Sequence, residues 1–458
     1  LFLELQQQSR GVFFVNVISR IQSTKMLGGK SYTLRGSVSL ALVILILFMI
    51  TLLVSEDNPL HTSLFDVKRQ FTASSSSSSS VCNFAKGRWV KDRNRPLYSG
   101  FECKQWLSTM WSCRVMGRPD FSFEGYRWQP QGCNTPHFDR FTFLNRDWIV
   151  LEQVPKRLSR CLLQFLFSRM QNKTIAFIGD SLGRQQFQSL MCMATGGEES
   201  PEVQNVGWEY GLVKPKGAIR PDGWAYRFPT TNTTILYYWS ASLSDLVPMN
   251  NTDPPHLTAM HLDRPPAFMR NYLHRFDVLV LNTGHHWNRG KIEGNHWVMH
   301  VNGTQVEGEF LKDIKDAKDF TIRSVAKWLD AQLPLHPRLK AFFRTISPRH
   351  FRNGDWNTGG NCNNTVPLSR GSEITGDDYG LVDTAVESAV NGTRIKILDV
   401  TALSELRDEA HISGSKLKPR KPKKVSNVTS TTPIVNDCLH WCLPGIPDTW
   451  NELFIAQI

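Results

Sequence analysis

The chain is 458 residues long, enough for about two or three domains with a sizeable core. Hydrophobic residues make up 41% of it and include 14 Trp and 26 Phe, which excludes a chain that is disordered throughout and indicates a globular protein rich in aromatic residues. The formal net charge of +12 does not by itself indicate a nucleic-acid partner, since six basic residues lie within the short stretch from Lys416 to Lys424.

An apolar stretch over residues 37–55 is the first predicted element. Val38 to Val54 approaches the length that a helix needs to cross a bilayer, and basic residues precede it while Glu56 and Asp57 follow it. We therefore expect a transmembrane signal anchor behind a cytoplasmic tail at residues 1–36. A cleaved signal peptide is the alternative, and it is disfavoured because no small-residue cleavage site follows the run.

Two further segments are expected before the main domain. Met26 is a suitable initiator, so residues 1–25 need not be translated. Residues 56–81 include a run of serines and are predicted to form a flexible stem. Residues 82–146 hold four cysteines and several tryptophans without regular periodicity, which predicts a loop-rich subdomain that disulfides fasten.

Sequons and cysteines indicate that everything after the anchor is lumenal. Asn-x-Ser/Thr sequons are glycosylation acceptors, and they occur at Asn172, Asn232, Asn250, Asn302, Asn363, Asn391 and Asn427. The nine cysteines predict a disulfide framework with one cysteine left over, as in proteins of oxidising compartments. A zinc site at Cys438, His440 and Cys442 is the competing interpretation, and it is disfavoured because no second pair of ligands matches that spacing.

Residues 147–458 have the pattern of an α/β domain. Helical stretches such as Glu307–Leu333 alternate with apolar runs that predict buried strands, at Thr174–Ile178, Val278–Leu281, Ala341–Ile346 and Ile395–Val400. The alternation predicts a parallel sheet in a three-layer α/β core, with an added antiparallel element at Tyr226–Trp239. A basic insertion at residues 414–432 is predicted to be a solvated loop, and contact with an acidic polymer is its alternative function.

Ser181 is the candidate nucleophile. It follows the apolar run that ends at Ile178 and precedes a stretch with helical periodicity, so its hydroxyl would project from a strand end beside helix N-terminal amides that can hold an oxyanion. Far along the chain, Asp437 and His440 are three residues apart, so the acid can orient the imidazole. Together they supply the three parts of an acyl-transfer triad. The alternatives are an ordinary helix cap at Ser181 and a solvated Asp–His pair.

A series of motifs from Cys82 to the C-terminal end resembles one plant family. In chain order they are Cys82-Asn83-Phe84, Gly87-Arg88-Trp89-Val90, Pro96-Leu97-Tyr98, Gly117-Arg118-Pro119-Asp120, Arg127-Trp128-Gln129-Pro130, Gly179-Asp180-Ser181-Leu182, Asp437-Cys438-Leu439-His440-Trp441-Cys442-Leu443-Pro444-Gly445 and Asp448-Thr449-Trp450-Asn451. This pattern is similar to that of the trichome-birefringence-like proteins, whose PC-esterase domains transfer acetyl groups to cell-wall polysaccharides in the Golgi. The resemblance implies an SGNH/GDSL-hydrolase-like core with a smaller Cys-rich lobe.

The resemblance also implies roles for individual residues. Ser181 would carry the acetyl group, with His440 as its general base and Asp437 orienting the imidazole. Candidate oxyanion or substrate contacts are Gly179, Asp180, Arg184 and Asn282. For Arg184 a structural salt bridge is an equally open alternative, and His285 and His286 are expected to line the groove.

Substrates, partners and location follow from the same resemblance. The expected acceptor is a wall polysaccharide, with xylan favoured over mannan, xyloglucan and pectin, and the acetyl donor is acetyl-CoA or an acetylated carrier. No bound cofactor, metal or nucleic acid is expected. A membrane protein that supplies the acetyl donor is an expected partner. The location implied is the Golgi membrane, as a single-pass type II protein. An acetylesterase with the same triad and a non-catalytic pectin-binding protein are the alternatives.

Disulfide pairing does not follow from the spacing of the cysteines alone. We expect Cys82 to pair with Cys133, Cys103 to pair with Cys192, and Cys161 to be the free thiol.

Overall fold

The computed structural model describes residues 82–133, 138, 140, 143, 170–249, 257–306, 313–367, 382–416 and 434–458. The predicted anchor at 37–55, the stem at 56–81 and Cys161 lie outside these residues. Within the described ranges, no helix combines the length and the apolar character that crossing a membrane requires.

Strands and helices alternate along the described chain. The strands are β1 Asn83–Lys91, β2 Tyr126–Gln131, β3 Thr174–Gly179, β4 Gln204–Asn205, β5 Gly223–Phe228, β6 Thr233–Trp239, β7 Asp245–Pro248, β8 Thr258–His261, β9 Val278–Asn282, β10 Trp297–Val301, β11 Thr304–Gln305, β12 Lys340–Arg344, β13 Lys396–Leu398, β14 His411–Lys416 and β15 Ile434–Trp441. The α-helices are α1 Ser181–Thr195, α2 Ala267–Tyr272, α3 Arg289–Gly294, α4 Ile314–Gln332, α5 Thr384–Val390, α6 Thr401–Glu405 and α7 Ile446–Gln457.

A seven-stranded sheet with the order β13-β12-β9-β3-β6-β5-β4 forms the core. The first five strands are parallel, and β5 and β4 join antiparallel. The four apolar runs predicted as strands are β3, β9, β12 and β13, so the predicted parallel sheet is confirmed. The prediction for Tyr226–Trp239 holds in part, because β6 pairs antiparallel with β5 but also parallel with β3, which makes it a core strand.

Helices cover both faces of this sheet. Strand β3 is buried along its whole length, as expected for a central parallel strand. Ile175 and Phe177 face the hydrophobic cluster that includes α1 and α7, while Ala176 and Ile178 face the cluster that includes α4 and α5. Successive side chains of a strand point to opposite faces, so the arrangement is a three-layer α/β core.

The cysteine-rich segment shares the core of the α/β domain. Its main regular element is the β1–β2 hairpin, where Trp89 lies opposite Trp128. Both indoles are buried in the same cluster as Phe177 and Trp450 of the α/β domain. The expected smaller lobe therefore shares one hydrophobic core with the α/β domain. A loop-rich segment cannot enclose a core of its own, and it buries its aromatic residues against the larger domain instead.

All eight cysteines in the described residues are paired. The expected pairs Cys82–Cys133 and Cys103–Cys192 are both present. The other two disulfides, Cys113–Cys442 and Cys362–Cys438, were not expected from the sequence. They fasten both ends of the segment that carries Asp437 and His440.

Strands β14 and β15 form an antiparallel hairpin near the end of the chain. The predicted basic insertion at residues 414–432 connects these two strands. Its first residues are not loop, because β14 continues to Lys416, and residues 417–433 lie outside those described. The hairpin leads directly into α7, which packs on α1. This succession places the end of β15 beside the start of α1.

Candidate active site

Ser181 lies at the junction between the central strand and the first helix. It is the first residue of α1, and Asp180 caps the helix by accepting a hydrogen bond from the amide of Leu182. Gly179 is required at the turn, because a Cβ there would lie 2.0 Å from Asn282 Oδ1. The close approach of β9 to β3 thus selects glycine at the residue before the cap. The serine hydroxyl emerges at the carboxyl end of the parallel strands, where α/β proteins bind ligands.

Asp437, His440 and Ser181 form one hydrogen-bond chain. The Ser181 hydroxyl lies 2.7 Å from His440 Nε2, and His440 Nδ1 lies 2.7 Å from Asp437 Oδ2. Asp437 Oδ1 accepts the backbone amides of Leu439 and His440 at 3.2 and 3.0 Å. Burial opposes ionisation of Asp437, but the hydrogen bonds and the charge of His440 outweigh it and lower the pKa of that carboxyl. The carboxylate is therefore held ionised against the imidazole.

Gln185 joins the nucleophile helix to the strand that carries His440. It lies four residues after Ser181 and is 0% exposed. Its Nε2 donates to the carbonyl of Trp441 at 2.7 Å, and its Oε1 accepts the amide of Trp441 at 3.1 Å. This two-point contact fixes the residue after His440 relative to α1. Sequence analysis missed it, although a polar residue one helical turn after a nucleophile was an available signal.

Two buried histidines, His411 and His350, hold the main-chain carbonyl of His440. His411 Nδ1 lies 3.0 Å from the carbonyl of His440, and His350 Nδ1 lies 2.7 Å from His411 Nε2. A carbonyl only accepts, so Nδ1 of His411 is the donor and its Nε2 accepts from His350. Burial and then the neighbouring His350 hold the pKa of His411 well below its ordinary value, which keeps this tautomer neutral. The main chain of His440 is thus held by a hydrogen bond from His411, which His350 orients in turn.

Aromatic contacts and disulfides enclose the same segment. The ring of Trp111 lies 5.4 Å from that of His440, and Cys113 bonds to Cys442. On the other side Cys438 bonds to Cys362. Both sulfurs of the alternative zinc site are thereby committed to disulfides. Among the described residues, no group of three or more His, Cys, Asp or Glu side chains has the arrangement of a metal site.

Arg184 points toward the aromatic residues and not toward an acid. Its guanidinium lies 4.3 Å from the Trp111 ring and 5.7 Å from the Trp224 ring, and Nη2 lies 3.3 Å from Ser108 Oγ. Within the described ranges it forms no salt bridge, and its buried Nε has no hydrogen-bond partner. Burial lowers the pKa of Arg184, with the charge of Arg220 acting in the same direction. The salt-bridge alternative therefore lacks a partner there.

Asn282 supports the turn that presents Ser181. It ends β9, is 4% exposed and donates from Nδ2 to Asp180 Oδ1 at 2.6 Å. This bond occupies one of its two amide hydrogens, and its role as an oxyanion donor stays a prediction. His285 Nε2 lies 2.7 Å from the carbonyl of Ser347, and the ring of His286 packs edge-on against Trp239 at 5.3 Å. Both histidines thus have partners outside the Ser–His–Asp chain.

The strand–serine–helix junction and the Ser–His–Asp chain have the arrangement that serine-dependent acyl-transfer proteins use. Comparison with known families agrees. Residues 162–457 match the model of the GDSL/SGNH-like acyl-esterase family found in Pmr5 and Cas1p, and residues 80–134 match that of the PMR5 N-terminal domain.

Individual relatives narrow the class. The chain is 85% identical over 433 residues to protein trichome birefringence-like 14 of Arabidopsis thaliana, covering 94% of this chain and 100% of that protein. It is 70% identical to trichome birefringence-like 15 of the same plant over 97% of this chain and 82% of that one. It is 30% identical to xyloglucan O-acetyltransferase 1 of Arabidopsis thaliana over 82% of this chain and 80% of the relative. The chain therefore belongs to the trichome birefringence-like family of PC-esterase-domain proteins.

Proposed function

We propose that this protein transfers acetyl groups to hydroxyls of a plant cell-wall polysaccharide through an acetyl-serine on Ser181. The observation that carries the proposal is the unbroken chain from Ser181 through His440 to Asp437. Among the relatives, xyloglucan O-acetyltransferases of Arabidopsis thaliana and Populus trichocarpa are 30% and 29% identical to the chain. The activity that their names state supports acetyl transfer, and experiment must identify the polymer.

The first half-reaction loads the serine. His440 Nε2 takes the hydroxyl proton of Ser181 while Oγ attacks the acetyl carbonyl of the donor. The first amides of α1, with Asn282 as a further candidate, stabilise the tetrahedral oxyanion. Collapse of this intermediate breaks the bond to the leaving group, which receives the proton from His440. The acetyl group remains as an ester on Ser181.

The second half-reaction unloads it. A sugar hydroxyl gives its proton to His440 as its oxygen attacks the acetyl-serine carbonyl, and collapse returns the proton to Ser181 Oγ. The imidazolium formed in each step lies against Asp437, whose ionised carboxylate stabilises it. An acetylesterase is the second candidate, because the family model is that of acyl-esterases and water can replace the sugar in this step.

The proposed location is the Golgi lumen, with residues 37–55 as a type II anchor. Two observations support a lumenal domain: the four disulfides, and the exposure of every sequon asparagine in the described residues, namely Asn172, Asn232, Asn302, Asn363 and Asn391. We further propose xylan as the first acceptor to test, with xyloglucan, mannan and pectin as competitors, and acetyl-CoA or an acetylated carrier as the donor.

An acceptor panel tests the function. The purified full-length protein is incubated with an acetyl donor and unacetylated oligosaccharides of each polymer. The masses of the products are then measured by mass spectrometry. We expect mass gains of one acetyl group on one class of oligosaccharide. Ser181→Ala should lower this activity by at least about 1,000-fold. Loss of acetyl from pre-acetylated oligosaccharides without any transfer would favour the esterase, and full activity of Ser181→Ala would refute the mechanism.

A further inference from the structure

Trp356 is an exposed tryptophan on an ordered surface loop. Its side chain is 75% exposed, whereas Trp111, Trp441 and Trp450 are fully buried. An indole presents a large apolar face at little conformational cost, so an exposed one on an ordered loop favours a binding role. Asn353, Asn357 and Thr358 are exposed around it and offer amide and hydroxyl groups.

The loop at residues 352–361 holds Trp356 in a fixed conformation. Arg352 and Asn361 close it by exchanging backbone hydrogen bonds of 2.8 and 2.9 Å. Within it, the carbonyl of Asp355 accepts the amides of Thr358 and Gly360 at 3.1 and 2.9 Å. Gly354 has φ +140°, and a Cβ there would lie 2.9 Å from the amide of Gly360. A loop built this way loses little entropy when it binds a ligand.

Two contacts tie the flanks of this loop to the segment that carries the candidate acid and base. Cys362, directly after the loop, bonds to Cys438, the neighbour of Asp437. The amide of His350, just before the loop, donates to the carbonyl of Cys438 at 2.9 Å. Within the loop and its flank, Arg349 lies 3.6 Å from the carboxylate of Asp355, the residue before Trp356. The loop that carries the exposed indole is thus anchored on both sides to Cys438, the neighbour of Asp437.

We propose that Trp356 is an acceptor platform on which a pyranose ring of the polysaccharide stacks, one or more sugars away from the hydroxyl that receives the acetyl group. The inference rests on the proposed function and names a subsite for it. A pyranose has an apolar face of C–H groups and a rim of hydroxyls. It matches an indole surrounded by amide and hydroxyl side chains, since ligand sites combine an apolar surface with a few polar groups.

Trp356→Ala tests the platform, and Trp208→Ala is its matched control. Trp208 is 71% exposed, lies on a short 3₁₀ turn beside β5 and takes no part in the contacts described above. We expect Trp356→Ala to raise KM for hexasaccharide acceptors about 10-fold, while turnover of a small aryl acetate stays at the wild-type level. Trp356→Phe should recover part of the affinity, because a smaller aromatic face remains. Trp208→Ala should change neither quantity.

A binding measurement separates this inference from the function itself. Calorimetry with xylohexaose, mannohexaose and xyloglucan heptasaccharide is run on Ser181→Ala alone, with Trp356→Ala added and with Trp208→Ala added. Binding that weakens about 10-fold only with Trp356→Ala supports the platform even if no transfer is seen. Equal affinity with and without Trp356, an equal loss with Trp208→Ala, or no binding of any of the three sugars would overturn it. Full transfer activity of Ser181→Ala would instead overturn the proposed function.

Discussion

At the scale of single residues, the site depends on groups that hold His440 in place as much as on the triad itself. Gln185 contacts both main-chain groups of Trp441, and His411 holds the carbonyl of His440. Neither side chain contacts the Ser181 hydroxyl. They act by fixing the 2.7 Å separation between Ser181 Oγ and His440 Nε2. Small misplacements of reacting groups are costly, so such positioning residues should affect turnover.

Gln185→Ala should lower kcat by about 10- to 100-fold and leave KM for the acceptor nearly unchanged. The physical reason is that the end of β15 loses its two hydrogen bonds to α1, so His440 samples positions away from Ser181. Gln188→Ala is the matched control, since Gln188 is a buried glutamine of the same helix with two hydrogen bonds, directed to Ser108 instead. Kinetics normalised to folded protein should separate the two variants. Equal kcat in both would show that Gln185 has only a structural role.

Residue-level prediction from sequence was limited by the distance between partners. Ser181, Asp437 and His440 could be identified from local sequence. The serine lies between an apolar strand and a helix, and the acid and the histidine are three residues apart. Gln185 could not be paired in advance, since its partner is the backbone of a residue 256 positions later. For Arg184, burial against Trp111 depends on a cysteine-rich segment whose path has no periodic signal.

At the scale of elements, the hairpin of β14 and β15 carries two of the three triad residues outside the main sheet. Its short pairing contains register shifts, so backbone hydrogen bonds alone define it weakly. The disulfides at Cys438 and Cys442 fasten it to Cys362 and Cys113. The candidate acid and base thus lie between two covalent anchor points.

Removing the Cys113–Cys442 disulfide with a double serine variant should cost both stability and turnover. A typical loss is about 2–5 kcal/mol of unfolding free energy, and kcat should fall because His440 lies two residues from the lost anchor. The control is Cys82→Ser with Cys133→Ser, which opens the ends of the β1–β2 hairpin. It should lower stability with less effect on kcat. Denaturant unfolding and kinetics together check this, and an unchanged kcat in the first variant would contradict it.

Elements with strong apolar periodicity could be predicted, whereas short ones could not. The strands β3, β9, β12 and β13 and the described part of helix 307–333, which is α4, match their predicted positions. The second sheet, of β7, β8, β10 and β11, was not anticipated. Its strands have five residues or fewer, and much of β7 is exposed. Such short strands are stabilised by pairing with neighbouring strands, and the local sequence does not show which strands will pair.

At the scale of the described molecule, one buried carboxylate connects three parts of the fold. Asp448 at the start of α7 accepts hydrogen bonds from Tyr98 of the cysteine-rich segment at 2.8 Å and from Ser189 of α1 at 2.6 Å. It also accepts the amide of Gly445 at 2.8 Å. Burial raises the pKa of Asp448 to about 6, although these hydrogen bonds act in the opposite direction. The junction of three elements is therefore sensitive to pH.

The contribution of Asp448 to the stability of the protein should decrease as pH rises from about 4 to about 6. In that window the unfolded Asp448 releases its proton while the folded one retains it, so folding is favoured on the acid side. The contribution lost is on the order of 3 kcal/mol, given an ordinary value of 3.8. Asp448→Asn should make the unfolding temperature depend less on pH between about 4 and 6, even if it changes the unfolding temperature itself. Thermal unfolding at intervals from pH 4 to pH 7 checks it, and identical slopes would refute the assignment.

The order of the site residues along the chain has a consequence for biosynthesis. When a ribosome has just made Ser181, the proposed nucleophile, Asp437 and His440 are still more than 250 residues away. Ser181 therefore lacks both partners of its hydrogen-bond chain until β15 has been made, and Cys113 lacks its disulfide partner until Cys442 follows 329 residues later. Under the proposed function, partly synthesised chains would therefore lack the Ser–His–Asp chain that misdirected acyl transfer would need.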